Sequence, residues 1–160
     1  MILLEDTRNQ VGKHRNIESY CKRHGIEIVR QALDVGDYML PDGQISVDTK
    51  ENVLELAGNV MSGDHRRFRA ECERAQAAGI QLIVLVEEEL PFGRLDMWEV
   101  PKFRTNGRFH RIGDPMTRVD PVALRKALIT MQGKYGVRFR FCSRRKSPKM
   151  IIEYLKGVRK

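Results

Sequence analysis

Gly36-Asp37-Tyr38-Met39-Leu40-Pro41-Asp42-Gly43-Gln44-Ile45-Ser46-Val47-Asp48-Thr49-Lys50 reads as a β-hairpin that sets two carboxylates face to face with a lysine beside them. Pro41-Asp42-Gly43-Gln44 carries turn chemistry, with a glycine free to take positive φ, and both flanks are rich in strand-forming residues. A turn centred on Asp42-Gly43 pairs Leu40 with Ile45, Tyr38 with Val47 and Asp37 with Asp48. Opposed residues of an antiparallel pair hold their Cβ atoms roughly 4.5–5.5 Å apart. Two carboxylates at about 5 Å, in an effective dielectric of about 20, repel by about 3 kcal/mol. A divalent cation offsets that repulsion, and oxygen ligands on adjacent strands suit Mg²⁺ or Mn²⁺. Lys50 follows Asp48 on the same strand face, while Val47 and Thr49 are expected to turn away. Such a centre uses metal to polarise a phosphate and to lower the pKa of a water. The ammonium positions that water or stabilises charge on the phosphoryl oxygens. The same pattern also describes a solvated hairpin face, because Asp-x-Lys is short and a one-residue bulge breaks the pairing.

Outward from the hairpin the order is alternating α/β. Met1-Ile2-Leu3-Leu4-Glu5 reads as a strand ending at Asp6-Thr7-Arg8, residues 13–24 as a helix closed by Gly25, and residues 26–30 as a second strand. After the hairpin, a helix over 51–61 groups Val53, Leu54, Ala57, Val60 and Met61 on one face. A second helix over 64–78, capped by Asp64 and stopped by Gly79, turns Phe68, Cys72 and Ala75 inward. Ile80-Gln81-Leu82-Ile83-Val84-Leu85-Val86 is almost wholly apolar, the pattern of a central strand covered on both faces. Between Glu87 and Arg118, prolines, glycines and Asn106-Gly107 break the chain into loop or short extended pieces. Arg104, Arg108 and Arg111, interleaved with Phe103, Phe109 and Trp98, suit either a grip on a phosphate backbone with stacked bases or a mobile arm with partly buried aromatics. Asp120-Pro121 opens a helix to Tyr135 with Leu124, Leu128 and Met131 inward. Val137, Phe139 and Phe141 then alternate with Arg138 and Arg140 as a strand, and Ser147-Pro148 opens a last helix packing through Ile151, Ile152 and Leu155.

Composition bounds the function. With 160 residues, 41% of them hydrophobic, the chain suffices for one well-packed domain. It holds no run of about 18 apolar residues and no signal-peptide pattern, so the expectation is a soluble, cytoplasmic protein without a membrane partner. Cys21, Cys72 and Cys142 are far apart, as reduced, mostly buried thiols rather than a disulfide frame or zinc site, and the four histidines are equally scattered. Charge is split along the chain. Residues 1–101 carry 12 Lys+Arg against 18 Asp+Glu, a balance of −6, whereas residues 102–160 carry 17 against 3, a balance of +14. The second part is a polyanion-binding candidate, with a basic solubilising surface as the alternative. An acidic, metal-gathering part joined to a basic one is what phosphodiester chemistry on nucleic acid needs.

Read together, Ile2-Leu3-Leu4-Glu5-Asp6-Thr7-Arg8, Val35-Gly36-Asp37-Tyr38, Val47-Asp48-Thr49-Lys50, Arg67-Phe68-Arg69-Ala70-Glu71-Cys72-Glu73-Arg74-Ala75 and Val86-Glu87 resemble the nuclease domain of XPF-type structure-specific endonucleases, within the PD-(D/E)xK superfamily. The resemblance runs in order over about residues 1–89. It implies an α/β, single-domain restriction-endonuclease-like fold with a central mixed sheet flanked by helices. The division it suggests is a nuclease core over 1–90, a basic arm over 91–118 and a basic helix-strand-helix extension over 119–160 packed on the same domain.

The resemblance also implies roles. Asp37 matches a metal-binding aspartate, Asp48 stands where the family usually has a glutamate ligand, and Lys50 matches the catalytic lysine. Asp6 matches an acidic residue able to serve as a further ligand, and Arg67 an arginine flanking the site. Arg8, Arg66 and Arg67, with Arg104, Arg108 and Arg111 from the basic stretch read above, are the candidate nucleic-acid contacts. Departures are Thr49 for arginine, Leu54 for an acid and Asn9 for glutamate, with Glu51, Glu55 and Glu71 as candidates to replace the acidity missing at Leu54. Larger members of the family add helicase or tandem helix-hairpin-helix segments that are not read here, and Asp48-Thr49-Lys50 with Leu56-Ala57-Gly58-Asn59-Val60 resembles most the compact bacterial and phage relatives, for which the expected place is near the nucleoid. The expectation is a Mg²⁺- or Mn²⁺-dependent DNA endonuclease acting at branched or junction DNA in repair or recombination, with family-like pairing into a homodimer. The competing readings are a non-catalytic nucleic-acid-binding scaffold on a nuclease fold and a ribonucleolytic or RNA-binding protein.

Overall fold

The computed structural model describes residues 1–12, 15–61, 65–99, 103–105, 108–110 and 119–158, with 103–105 and 108–110 described by their backbone alone. In chain order the elements are β1 (Ile2–Asp6), α1 (Arg15–Arg23), β2 (Glu27–Gln31), β3 (Tyr38–Met39), β4 (Ile45–Lys50), α2 (Val53–Met61), α3 (His65–Ala77), β5 (Gln81–Val86), a 3₁₀ helix (Phe92–Met97), β6 (Phe103–Thr105), β7 (Arg108–His110), α4 (Pro121–Tyr135), β8 (Arg138–Phe141) and α5 (Ser147–Leu155). Six strands form one mixed sheet in the order β2-β1-β3-β4-β5-β8, and β6 and β7 pair as a separate antiparallel hairpin. This is the α/β fold with a central mixed sheet that the sequence led us to expect.

The apolar run of β5 explains the layering. Leu82, Val84 and Val86 point to one face, into a core built with Leu56 and Val60 of α2, Phe68 and Cys72 of α3, and Leu124 and Leu128 of α4. Ile83 and Leu85 point to the other, into a core with Ile17 and Cys21 of α1 and Ile151 and Leu155 of α5. A strand buried on both sides cannot alternate polar with apolar, which is why its sequence reads as continuous. All three cysteines are free and buried.

The hairpin forms in the expected register, Tyr38 opposite Val47 and Met39 opposite Ser46. Asp42 takes the turn in a left-handed conformation, φ 56°, and Gly43 N donates to Leu40 O at 3.0 Å. Parallel pairing of β4 with β5 aligns Asp48 with Val84 and Lys50 with Val86, so both polar side chains face the α2–α3 layer. α4 starts as expected, with the Asp120 side chain accepting from Val122 N and Pro121 in the first turn, and Gly136 closes it at φ 69°.

One expectation needs correction and one open alternative closes. On α2 the inward face is Val53, Leu56, Ala57 and Val60; Met61 is 40% exposed and Leu54 only partly buried. The helix is rotated so that the i, i+3, i+4, i+7 stripe starts at Val53. Of the two readings left open for Trp98, the structure takes the buried aromatic: the ring packs with Leu95 under α4, and its indole N–H donates to Glu88 Oε1 at 2.9 Å. A large ring with one donor is most stable where both needs are met at once. The expected helix start at residues 13 and 14 and the Asp64 cap lie outside the described residues.

Candidate active site

The carboxyl ends of β1 and β4 and the start of β3 lie side by side because β3 runs antiparallel to both neighbours. That places Asp6 at the end of β1, Asp37 just before β3, and Asp48 and Lys50 at the end of β4. Asp37 is fixed by its backbone: its N–H donates to Val47 O at 2.9 Å, and its carbonyl accepts from Asp6 N at 2.9 Å. Gly36, at φ 69°, supports this approach, since a Cβ there would run into Ser46 Oγ. The preceding residues are clasped from both sides. Asp6 Oδ1 accepts from Leu33 N at 3.2 Å and the Arg8 guanidinium donates to Leu33 O, while Arg74 Nε reaches Asp34 O at 3.2 Å and Glu71 Oε1 accepts from Gly36 N at 2.8 Å.

The side chains converge on a cleft of about 280 Å³ whose lining includes Asp6, Arg8, Asp37, Asp48, Lys50, Arg67, Glu71 and Arg74. Lys50 Nζ lies 2.8 Å from Asp48 Oδ2, an ion pair poorly angled for a hydrogen bond, so that buried oxygen lacks a well-aligned donor among the described residues. Lys50 Nζ also sits 5.8 Å from the centre of the Phe68 ring. Asp37 Oδ2 accepts from Thr49 N at 2.8 Å and from Thr49 Oγ1 at 2.6 Å. Thr49 therefore does not turn away from the centre, as strand alternation alone had suggested; it reaches Asp37 across the strand end.

Electrostatics follow from burial. Asp48 is 5% exposed, and desolvation pushes its carboxyl up to about 6 against the pull of Lys50, with Asp37 adding repulsion. Asp37 is raised for the same first reason, opposed by the two Thr49 hydrogen bonds and Lys50. Glu71 is raised by burial and then by Asp48. Burial pulls Lys50 down, but Asp48 and then Asp37 outweigh it, and its ammonium is held above the usual lysine range. A buried and a half-buried carboxylate beside one ammonium, one oxygen without a well-aligned donor, form a donor set that fits a hard dication. No group of three or more His, Cys, Asp or Glu side chains is arranged to hold a metal among the described residues. Asp37 and Asp48 would be the direct protein ligands, an arrangement suited to Mg²⁺, which retains waters and takes substrate phosphate oxygens.

Of the residues singled out by sequence, Asp6, Asp37, Asp48, Lys50, Arg8 and Arg67 gather at this cleft. Asp6 has both oxygens engaged, by Leu33 N and by Arg8 Nε at 2.6 Å. Arg66 is exposed on α3 and does not line the cleft. Arg104 and Arg108 lie on β6 and β7 with side chains outside the described residues, as is all of Arg111. Of the candidates to replace the acid at Leu54, Glu71 lines the cleft, Glu55 takes Glu51 N at 2.7 Å at the start of α2, and Glu51 faces Arg144.

The family model of the ERCC4 domain matches residues 6–155. This chain belongs to the ERCC4 domain family. XPF from Aeropyrum pernix shares its fold with a TM-score of 0.67 at 18% identity, over 99% of this chain and 65% of that one. XPF from Aeropyrum pernix in complex with DNA gives a TM-score of 0.65 at 19% identity, over 98% of this chain and 64% of that one. The present chain thus spans just under two thirds of each. No curated protein matches the chain by sequence.

In this ERCC4 domain, sequence reading passed over Thr49 and Arg74 as parts of the site. For Arg74 the signal was present, since it follows Arg67 by seven residues on one face of α3; for Thr49 strand alternation gave none.

Proposed function

We propose that this ERCC4 domain is a Mg²⁺- or Mn²⁺-dependent endonuclease that hydrolyses phosphodiester bonds in DNA at branched or junction structures. The observation that carries the reading is the convergence of half-buried Asp37 and buried Asp48 with Lys50 beside them, two carboxylates to one ammonium, in a cleft with arginines on its walls. Membership of the family supports the chemistry. DNA as substrate and the junction preference draw on the XPF likeness, one neighbour of which was solved in complex with DNA.

Asp37 and Asp48 would hold the metal. Bound there, it supplies Lewis-acid polarisation of a phosphoryl oxygen and a water of lowered pKa. Lys50 stays an ammonium at neutral pH, because its counter-charges outweigh its burial, so it acts as a fixed positive charge on the phosphoryl oxygens rather than as a base. Arg67, on the exposed wall of the cleft, orients the phosphate backbone.

The test is cleavage of labelled duplex, flap and four-way DNA with Mg²⁺ or Mn²⁺, beside Asp48→Asn. Wild type is expected to cut with either metal, branched substrates best, and the variant to lose cleavage. A wild type that binds DNA yet cuts none with either metal makes the protein a non-catalytic binder, and cleavage indifferent to Asp48→Asn moves the site elsewhere.

A further inference from the structure

We infer that Thr49 is a positioning residue for the metal-binding carboxylate of Asp37, an inference that rests on the endonuclease reading above. The backbone of Asp37 is anchored to β1 and β4 by two hydrogen bonds, but neither fixes the two side-chain torsions that aim its carboxylate. Thr49 does. Its N–H and its hydroxyl converge on the same oxygen, Asp37 Oδ2, at 2.8 and 2.6 Å, and no hydrogen bond reaches Oδ1 among the described residues. One oxygen is thus pinned to the strand end and the other presented, which sets the direction in which a cation is met.

The residue type matters. A threonine at a strand end keeps few χ1 rotamers, so its hydroxyl is already aimed before any ligand arrives. Its donors are short and local, whereas a longer cation at position 49 would bring charge. The device orients Asp37 without adding a second positive charge beside Lys50, leaving the Asp37–Asp48 pair short of cations and so receptive to a metal.

Thr49→Val keeps shape and the backbone donor while deleting only the hydroxyl; Thr49→Ser restores a hydroxyl; Thr49→Ala is a second hydroxyl-free variant if the valine misfolds. Two readouts are needed: calorimetric titration of the DNA-free protein with Mn²⁺ alone, and steady-state cleavage resolved into kcat and KM. Loss of a hydrogen bond to a charged group predicts a Mn²⁺ Kd weaker by on the order of tenfold for the hydroxyl-free variant. kcat falls by a similar factor, KM for DNA is unchanged, and Thr49→Ser recovers most of both. A valine or alanine variant with wild-type Mn²⁺ affinity overturns the proposal, as does a serine variant no better than valine. If the wild type binds Mn²⁺ but cuts no DNA, the endonuclease reading fails while the Mn²⁺ comparison still decides the role of Thr49. A wild type that binds no Mn²⁺ sinks both.

Discussion

Asp6 and the Asp37–Asp48 pair gather at one end of the central strands β1, β3 and β4, yet the fold treats their charges in opposite ways. Asp6 is satisfied: one oxygen takes Leu33 N, the other takes Arg8 Nε, and the carboxylate serves to tie β1 to the loop before Asp37. Asp48 is buried and Asp37 half-buried, the one ammonium beside them pairs with Asp48, and Asp48 Oδ2 has no well-aligned donor among the described residues. A satisfied carboxylate has little to gain from a new ligand, whereas an under-compensated one gains the full difference. The contrast separates a residue that builds the cleft from residues poised to use it, although all three carry the same functional group.

The sharpest way to break this contrast is activity. Asp48→Asn and Lys50→Met should each lower kcat by on the order of 10²–10³, the loss typical of removing one electrostatic stabiliser from a desolvated site. Asp6→Asn keeps an acceptor for Leu33 N and loses an ion pair to an arginine whose side chain is 57% exposed, so its kcat should fall by less than about tenfold. Steady-state cleavage of one branched substrate ranks the three. An Asp6 variant as dead as Asp48→Asn would erase the distinction and return Asp6 to the metal.

Next in size is a pH effect. Asp48 is raised from 3.8 to about 6 in the fold, so the folded state binds its proton more tightly than the unfolded chain. The associated stability is fully present below about pH 4 and is lost as pH climbs through 6, a total of about 3 kcal/mol from a shift of about two units. Asp37 works in the same direction. Denaturant titrations of the metal-free protein should therefore show stability declining between about pH 4 and 7 relative to Asp48→Asn. Mn²⁺ at neutral pH should recover most of the difference. A flat difference curve would mean that the carboxylate is compensated after all.

Much of this was legible beforehand, and what was not has a physical reason. The hairpin register followed from Asp42-Gly43, because a turn with one left-handed residue and a glycine fixes which residues face each other. The inward faces of α3 and α4 followed from their spacing, Phe68-Cys72-Ala75 and Leu124-Leu128-Met131. α2 was misjudged because Val53, Leu54, Leu56, Ala57, Val60 and Met61 offer two overlapping stripes, and only contact with α3 and α4 selects one. Trp98 stayed open between stacking and burial because the prolines and glycines around it hide the packing of a short 3₁₀ turn under α4. Thr49 escaped because strand alternation describes Cβ directions, whereas Asp37 sits just before β3 and its carboxylate bends past the strand end.

A smaller effect sharpens the backbone side of the comparison. Gly36 joins the clasped loop to Asp37, and its left-handed φ of 69° costs a substituted residue about 1–2 kcal/mol before any clash. Gly36→Ala should lose at least that much in denaturant titration, with more from the collision with Ser46 Oγ. In a Ser46→Ala background, which already lacks the colliding oxygen and its hydrogen bond to Val35 O at 2.7 Å, Gly36→Ala should cost the conformational part alone; no cost there would mean that backbone conformation is not limiting.

The smallest predicted effect concerns two arginines on the cleft wall. Arg8 is committed to Asp6 and Leu33 O, whereas Arg67 makes no ion pair among the described residues and stands exposed on α3. A cation already spent on the fold releases few counterions when DNA arrives, and a free one releases about one. Arg67→Ala should therefore weaken binding to duplexes of any sequence and lower the slope of log K against log salt by about 1. Arg8→Ala should leave that slope nearly unchanged while lowering stability, since Leu33 O loses its donor. Binding isotherms at a series of salt concentrations, read beside thermal midpoints, separate the two. Equal slope changes would show that Arg8 releases the loop when it meets phosphate, and the satisfied side of the cleft would then have a part in binding as well.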